Sequence, residues 1–486
     1  MFVSRASGNP TTAQITELEQ VLIVERDAPS QVQGVGQTTI VVGEAVNDQG
    51  LPLIPRRLQA KGELTSYYGG FKSWIGSTAD GYNGNLYAKL YRPRFPDLIV
   101  ILPDLEAGEV TFSGTATDPL VIPAGTRVSN GVTSIWATLE DVDFPTGGYA
   151  DVQTVRVRHV SGAASQLAGG VTTIVDNTSP DLSGFTVTNL DALTAVNLDT
   201  AYGLAIDAAL DETTSAVDGM LIFSCRSSQS VMATLKAHVI SASAGGRGRL
   251  AVVSPPIGTD KTAATANTVL GAGLSRSDRC VYAWPAVQWL LPESSTDAYL
   301  TSTFDAFFAS VIANTSSNES PGQVTPFLSD IVAGEVVTGA TYGRTFYVEM
   351  KAAGIVSFNV DRRGNKVGYS AVTTSLTSGK EPIEQRRFSD YVQDSVAGFL
   401  ANYKDKPLTT ALKDGARFAI EEFLDNEVRQ GRIESGNYLV DVDSVNTPTN
   451  EAMGIFYILM KIRRTPSAKF LVFLAQIGTT VVVSEQ

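Results

Sequence analysis

RRFSDYVQDSVAGFLANYKDKPLTTALKDGARFAIEEFL (386–424), followed by GNYLVDVDSVNTPTNEAMGIFYILMKIRR (436–464), is the stretch whose reading decides the fold. From 388 to 400, Phe388, Tyr391, Val392, Val396, Phe399 and Leu400 recur at helical spacing, with Asp390, Gln393 and Asp394 off the stripe. Pro407 suits a first helical turn, and Leu408, Leu412, Ala416, Ala419, Ile420 and Phe423 trace a second stripe. Residues 436–442 read as a strand and 443–450 as a loop. GIFYILMKIR (454–463) reads as a strand apolar on both faces, which belongs inside a sheet. After Pro466, KFLVFLAQI (469–477) and TTVVVS (479–484) resume in extended form. Such strands aggregate unless something covers them, so this end of the chain is expected to pair with a partner.

Working back along the chain, further blocks appear. GVGQTTIVVG (34–43), LTSYYGGF (64–71) and GNLYAKLYR (84–92) stand near the start, and DGMLIFS (218–224), RLAVVSPP (249–256) and CVYAWP (280–285) in the middle. AGI (353–355) and RRFSDY (386–391) precede the C-terminal helices. In order and spacing these blocks resemble the tail sheath proteins of contractile-tailed bacteriophages and their relatives, the R-type pyocins and type VI secretion sheaths. The resemblance implies strand, helix with a glycine turn, and strand for the first three, strand, helix (from about Ser228 to Ser241) and strand for 218–256, and a further strand at 280–285. One departure is Trp284-Pro285, where that family commonly has Tyr-Pro-Trp.

Between 96 and 200 the texture changes to short strands separated by Gly/Pro turns: GEVTFSG (108–114), LVIPAGTRV (120–128), TSIWAT (133–138) and QTVRVRHV (153–160). This reads as a small all-β insertion, and its line resembles a module of baseplate J-type proteins of the same tails. The fold expected is therefore an α/β multidomain chain: an α+β core of mixed sheets with helices, the inserted all-β domain, and extended N- and C-terminal arms. The divisions expected are an N-terminal linker arm (1–26), the first part of the core (27–95), the insertion (96–200), a middle α/β domain (201–385), a C-terminal core domain facing the tube (386–467) and a C-terminal strand arm (468–486).

Composition permits this reading. The chain has 486 residues, too many for one ordinary core, and 43% of them are hydrophobic, enough to fill several. A formal charge of −13 argues against general nucleic-acid binding, which needs a basic surface. The N-terminal stretch lacks the apolar segment of a secretory signal, and no run of apolar residues is long enough to span a bilayer, so no membrane insertion is expected.

Catalytic and metal chemistry finds little support. His159 and His238 are the two histidines and Cys225 and Cys280 the two cysteines, with no zinc spacing, and both histidines read as structural. GGRGR (245–249) follows a helix instead of leading one, and SGKE (378–381) lacks the phosphate-loop glycine and hydroxyl. DVDSVN (441–446) has oxygen ligands for calcium but neither the glycine nor the distal Glu of an EF-hand. No cofactor and no enzymatic activity are expected. Cys225 and Cys280 read as buried free thiols in a reducing cytoplasm; a disulfide formed after assembly is the alternative.

The resemblance implies a structural subunit that polymerises with itself into a helical cylinder of stacked hexameric rings around a tail tube protein, bounded by baseplate and tail terminator proteins. Assembly would occur in the host cytoplasm and the product would be part of the virion tail. Terminal arms would add strands to a neighbour's sheet. The arm residues would be Leu18, Val21, Leu22, Ile23 and Val24 at one end and Phe470, Val472, Phe473, Leu474, Val481 and Val482 at the other, with Phe456, Ile458, Met460 and Ile462 on the acceptor strand. Contraction would pass from a metastable extended lattice to a compact one. Lys404, Lys406, Lys413 and Arg417 are the tube-facing candidates, against an ordinary solvated helix face. Two alternatives remain: another structural tail component such as a baseplate part, and a glycan-binding or glycan-cleaving protein using acids such as Asp141 and Asp143.

Overall fold

The computed structural model describes residues 4–7, 22–25, 38–48, 51–58, 61–70, 86–115, 119–131, 134–144, 150–161, 171, 173–176, 181–189, 193, 196–210, 220–265, 276–290, 299–323, 325–335, 342–360, 364–400 and 406–466. The chain divides into two compact units, 1–395 and 396–486.

The first unit is organised by an eight-stranded sheet in the order Lys366–Tyr369, Ile355–Val360, Cys280–Trp284, Leu250–Val253, Leu221–Ser224, Thr38–Val42, Asp97–Ile101 and Arg56–Leu58. Its six inner strands are parallel and the two edge strands antiparallel. Strands such as LIFS, LAVV and CVYAW are buried at every position, because helices cover both faces of a parallel sheet. Alternation along each strand divides the core in two. Val41, Phe223, Val252 and Val281 pack with the Asp305–Asn314 helix, which is buried at every position but Asn314. Ile40, Val42, Ile222 and Tyr282 pack on the other face with residues of the Leu198–Ala208, Gln229–Ala244 and Arg344–Ala352 helices. Asn197 and Ser228 start two of these helices, their side chains accepting from the backbone N–H of Thr200 and Val231.

Two expectations change here. The described part of 84–92 is not a strand: Leu86–Leu90 is a short helix with all five residues buried, a pattern that periodicity cannot separate from a buried strand. The strand of this region is Asp97–Ile101, paired with Thr38–Val42, so the central sheet extends beyond the boundary expected at 95.

The insertion begins with Glu106–Thr115 and forms a six-stranded antiparallel sheet in the order Thr173–Ile174, Arg127–Ser129, Ile135–Thr138, Ala150–Ser161, Glu106–Thr115 and Thr186–Asn189. A further pair joins Leu120–Ile122 to Val142–Phe144. Phe112, Trp136, Phe144 and Val157 centre its own core. A third sheet of the first unit holds Tyr299–Ser302, Val287–Leu290 and Ile331–Gly334.

In the second unit, the Thr410–Arg429 helix starts at Thr409, whose hydroxyl accepts from Leu412 N–H, so Pro407 lies outside the helix and not in its first turn. The strand Ile433–Asp441 pairs antiparallel with Leu459–Arg464, and a short helix, Pro448–Ala452, interrupts the expected loop. The helix before these elements, Ile383–Leu400, spans the division between the two units. It begins earlier than the stripe from 388 predicted because Ile383 is itself buried, and its off-stripe Asp390 is 3% exposed, accepting from Arg279 at 2.9 and 3.0 Å.

Candidate assembly surface

The residues expected to form a strand acceptor lie in the second unit, in a different local structure from the one expected. Residues 454–463 do not form one strand inside a sheet. Only Leu459–Arg464 is strand, and among the described residues its sheet has two members. Phe456 and Ile458 precede the strand, while Met460 pairs with Val440 and Ile462 with Tyr438. The reason is visible in burial: even-numbered residues 456 to 462 are half-buried and Tyr457 and Lys461 exposed, so one face is covered, not two. Val440 is buried, as are Ala416, Ile420 and Leu424 of the long helix. Tyr438 donates to Asp425 on that helix, a bond that raises the phenol pKa to about 12.

The other face is mixed and exposed: Leu439, 49% exposed, and Tyr457, 48% exposed, lie beside Lys461 and Arg463. Elsewhere in the unit, Met453 is 61% exposed and Phe418, on the long helix, 60%. No described strand pairs with the outer edge of either Ile433–Asp441 or Leu459–Arg464. A two-stranded sheet backed by a helix is marginal alone, and open edges next to exposed apolar side chains favour another strand.

Two tube-facing candidates are engaged within this unit. Lys413 pairs with Glu451 at 2.7 Å, and Arg417 with Asp414 at 3.2 Å and Asp443 at 3.5 Å. Lys406 is exposed, and Lys404 lies outside the described residues. Asp441 closes its own loop by accepting from Asp443 and Ser444 N–H, a turn and not a cation cradle.

Of the N-terminal arm, Leu22, Ile23 and Val24 lie in a strand, Leu22–Glu25, paired parallel with Ser4–Ser7 of the same chain. Leu18 and Val21 lie outside the described residues, as do Phe470, Val472, Phe473, Leu474, Val481 and Val482.

Within the first unit, Cys225 and Cys280 are free and buried on opposite faces of the central sheet, which excludes a disulfide between them. Burial pushes both thiols up, that of Cys280 to about 12, so neither is a reactive thiolate. His238 accepts from the buried Arg249 through Nε2 at 2.7 Å; burial, then the Arg249 charge, lower its pKa to about 3. GGRGR is a turn, Gly246 taking φ +84° after the Gln229–Ala244 helix. Asp141 accepts from Ala124 N–H at 2.7 Å and so holds a loop of the insertion. A groove of about 480 Å³ near Arg276, Arg279 and Lys380 also holds Asp278, so its charge is mixed. Among the described residues no group of three or more His, Cys, Asp or Glu side chains is placed to hold a metal, and no helix is long and apolar enough to cross a membrane.

Sequence reading missed the residues that join the insertion to the core. Glu44 and Arg158 form a buried ion pair, and Tyr202 donates to Glu44 at 3.2 Å. Arg156 grips Asp48 through two bonds of 2.7 and 3.1 Å, with Glu140 at 3.4 Å. Burial works against the Arg156 charge, but Asp48 outweighs it and the guanidinium pKa is raised. The signal was present in VRVRHV, where two arginines alternate with two valines that fill the insertion's core.

A layered α/β core with an embedded β-domain and a helix-backed strand pair is a sheath-type architecture: the fold is that of the sheath proteins of contractile injection systems. Among solved structures, the chain is similar to a protein of the contracted helical sheath of the anti-feeding prophage, with TM-score 0.54 and 10% identity, covering 91% of this chain and 93% of that one. It is similar to a protein in the baseplate of the same particle at TM-score 0.55 and 12% identity, covering 92% and 94%. A sheath tail protein of Desulfitobacterium hafniense gives TM-score 0.51 and 12% identity, covering 88% and 96%. Residues 109–195 match the family model of the baseplate J-like protein barrel domain. A search of the curated proteins finds no match to the chain.

Proposed function

We propose that the chain is the sheath subunit of a contractile tail, a structural and non-enzymatic role. It would polymerise into a helical cylinder of hexameric rings around a tail tube, between baseplate and terminator, and contract to drive the tube through a host envelope. The observation that carries this is the helix-backed strand pair of the second unit, whose two outer edges no described strand pairs with, and which leaves Leu439 and Tyr457 exposed. Strands donated by neighbouring subunits, from residues 18–24 and 470–482, would satisfy its main-chain groups and cover Leu439 and Tyr457. The likeness over most of the chain to a protein of a contracted sheath supports the same reading. Such links hold subunits together while rings turn and slide, and a more compact lattice with greater buried area is the source of work.

The test is negative-stain electron microscopy of the full chain beside a version lacking the first 25 residues. Long hollow cylinders that disappear on truncation support the reading. A second reading, a baseplate component, is favoured by the likeness to a baseplate protein and by the barrel match. It predicts single rings or small particles from both chains, even when tube protein is added.

A further inference from the structure

In open α/β sheets the crevice beyond the carboxyl ends of the strands, where the strand order reverses, is the usual place for a ligand. In this chain the reversal falls between Thr38–Val42 and Leu221–Ser224, since Asp97–Ile101 lies to one side and Leu250–Val253 to the other. Their carboxyl ends lead directly into Gly43, Glu44 and Cys225. A Cβ on Gly43 would lie 2.4 Å from Cys225 Sγ, so the crevice floor is closed by contact.

Above that floor stands the inserted barrel. Residues 44–48 present alternate side chains to it: Glu44 to Arg158, Val46 to Ala124, and Asp48 to Arg156. Asp48 N–H donates to Leu139 O at 3.0 Å. The intervening Ala45 packs into the sheet core, and Asn47 N–H donates to Tyr68 O at 3.2 Å, so the segment is held from both sides. The connection into the barrel is fixed too. Leu102 and Leu105 are buried, and Leu53 N–H donates to Leu102 O at 2.9 Å. On return, Asp199 accepts from Arg226 and Ser228, pinning the first turn of the Leu198–Ala208 helix.

We infer that the strand-reversal crevice of this α/β core serves as a socket for the chain's own barrel, locked by the Glu44–Arg158 and Asp48–Arg156 pairs, so that barrel and core behave as one rigid body. The barrel is then a lever fixed to the core and not a tethered ornament, and any surface it presents to a partner is held in register with the central sheet. The lock belongs to the single chain, so it stands or falls independently of the sheath reading.

The experiment compares the full-length chain with Glu44→Gln/Arg158→Met, which removes the ion pair without leaving an orphaned buried charge. Native-state proteolysis at residues 102–105 and 190–197, read by mass spectrometry, is expected to rise at least tenfold with far-UV circular dichroism unchanged. Calorimetric unfolding is expected to split from one transition into two. Wild-type cleavage rates and a single transition in the double variant would overturn the inference. If the double variant does not fold, Arg156→Met at the rim is expected to raise the same cleavage about threefold, and no change there would overturn it.

Discussion

The two units of this chain place their ion pairs at different depths. In the first, charges are buried only with partners: Lys89 and Asp305 meet at 2.6 Å with 0% and 1% of their side chains exposed, and Arg387 donates to the carbonyls of Thr315 and Ser316. Burial lowers the Arg387 pKa to about 10, which still leaves it charged at neutral pH. In the second, the Lys413–Glu451 pair stays partly exposed, and no described strand pairs with the outer edge of either member of the two-stranded sheet; Phe418, Leu439, Met453 and Tyr457 are exposed there, as Val152, Leu204, Tyr299 and Val348 are in the first. The first unit backs its central sheet with a core on each face; the second backs, among the described residues, a two-stranded sheet with one long helix. The same kind of side chain should therefore report on folding in one place and on association in the other.

Phenylalanines give the sharpest contrast. Phe308→Ala removes a ring that is 0% exposed and packed at a tilt against Phe304, ring centroids 5.7 Å apart, and should cost about 3–5 kcal/mol of unfolding free energy in chemical denaturation. Phe418→Ala should shift the same measurement by less than about 0.5 kcal/mol while reducing cylinder formation seen by microscopy. A comparable loss of stability in both variants would end the contrast.

His238 sharpens it by pH. Its folded pKa, lowered to about 3, lies below the ordinary value of 6.5, so the unfolded chain binds the extra proton between those values. The neutral ring thus contributes fully above the ordinary value, and stability falls as pH drops through this window. Between pH 7 and 4 the residue should cost about 3 kcal/mol. His238→Gln should remove that part of the slope in denaturation curves recorded at each pH. An unaltered slope would mean that the ring does not stay neutral against Arg249.

Leu439→Lys places a charge on the exposed face of the strand pair beside Lys461, its cross-strand neighbour. Monomer stability should change by less than about 0.5 kcal/mol, and sedimentation should show subunits that no longer associate. The smallest effect belongs to Lys413→Gln, which loses a half-exposed pair with Glu451 worth about 0.2–1 kcal/mol and weakened by salt. Replacing both Lys406 and Arg417 by Glu separates that local role from tube contact: extended tails that assemble as before would exclude these side chains from the tube surface.

Much of the fold was legible because its signals are local. Helical stripes located the C-terminal helices, and the resemblance of three blocks to those of sheath proteins located Leu221–Ser224, Leu250–Val253 and Cys280–Trp284. The misreadings share one cause. LYAKL is buried on every side, and GIFYILMKIR is apolar at most positions, so neither run has an alternation that distinguishes helix, inner strand and irregular chain. The exposed side chains were half legible: Phe418 sits off its helix stripe and is 60% exposed, with the Arg417 guanidinium 5.2 Å from its ring centroid. The Glu44–Arg158 socket was not legible, because the pairing joins residues distant in sequence whose only local trace is an alternation of arginine and valine.

The embedded barrel also bears on how the chain reaches its fold. Thr39 must find Leu221 across most of the first half of the chain before the central sheet can close. Inside that span, Glu106–Thr115 and Ala150–Ser161 pair antiparallel over shorter separations. A Cβ on Gly108 would lie 2.8 Å from Leu193 Cδ2, so the entry and exit of the barrel are neighbours. Once the barrel forms, it removes its own length from the loop that the sheet must close. The entropic saving is only about 0.6 kcal/mol for each halving of loop length, but local contacts made first shorten the search for distant ones. The barrel is in this sense a clasp: it gathers the two halves of the parallel sheet before any neighbouring subunit is met.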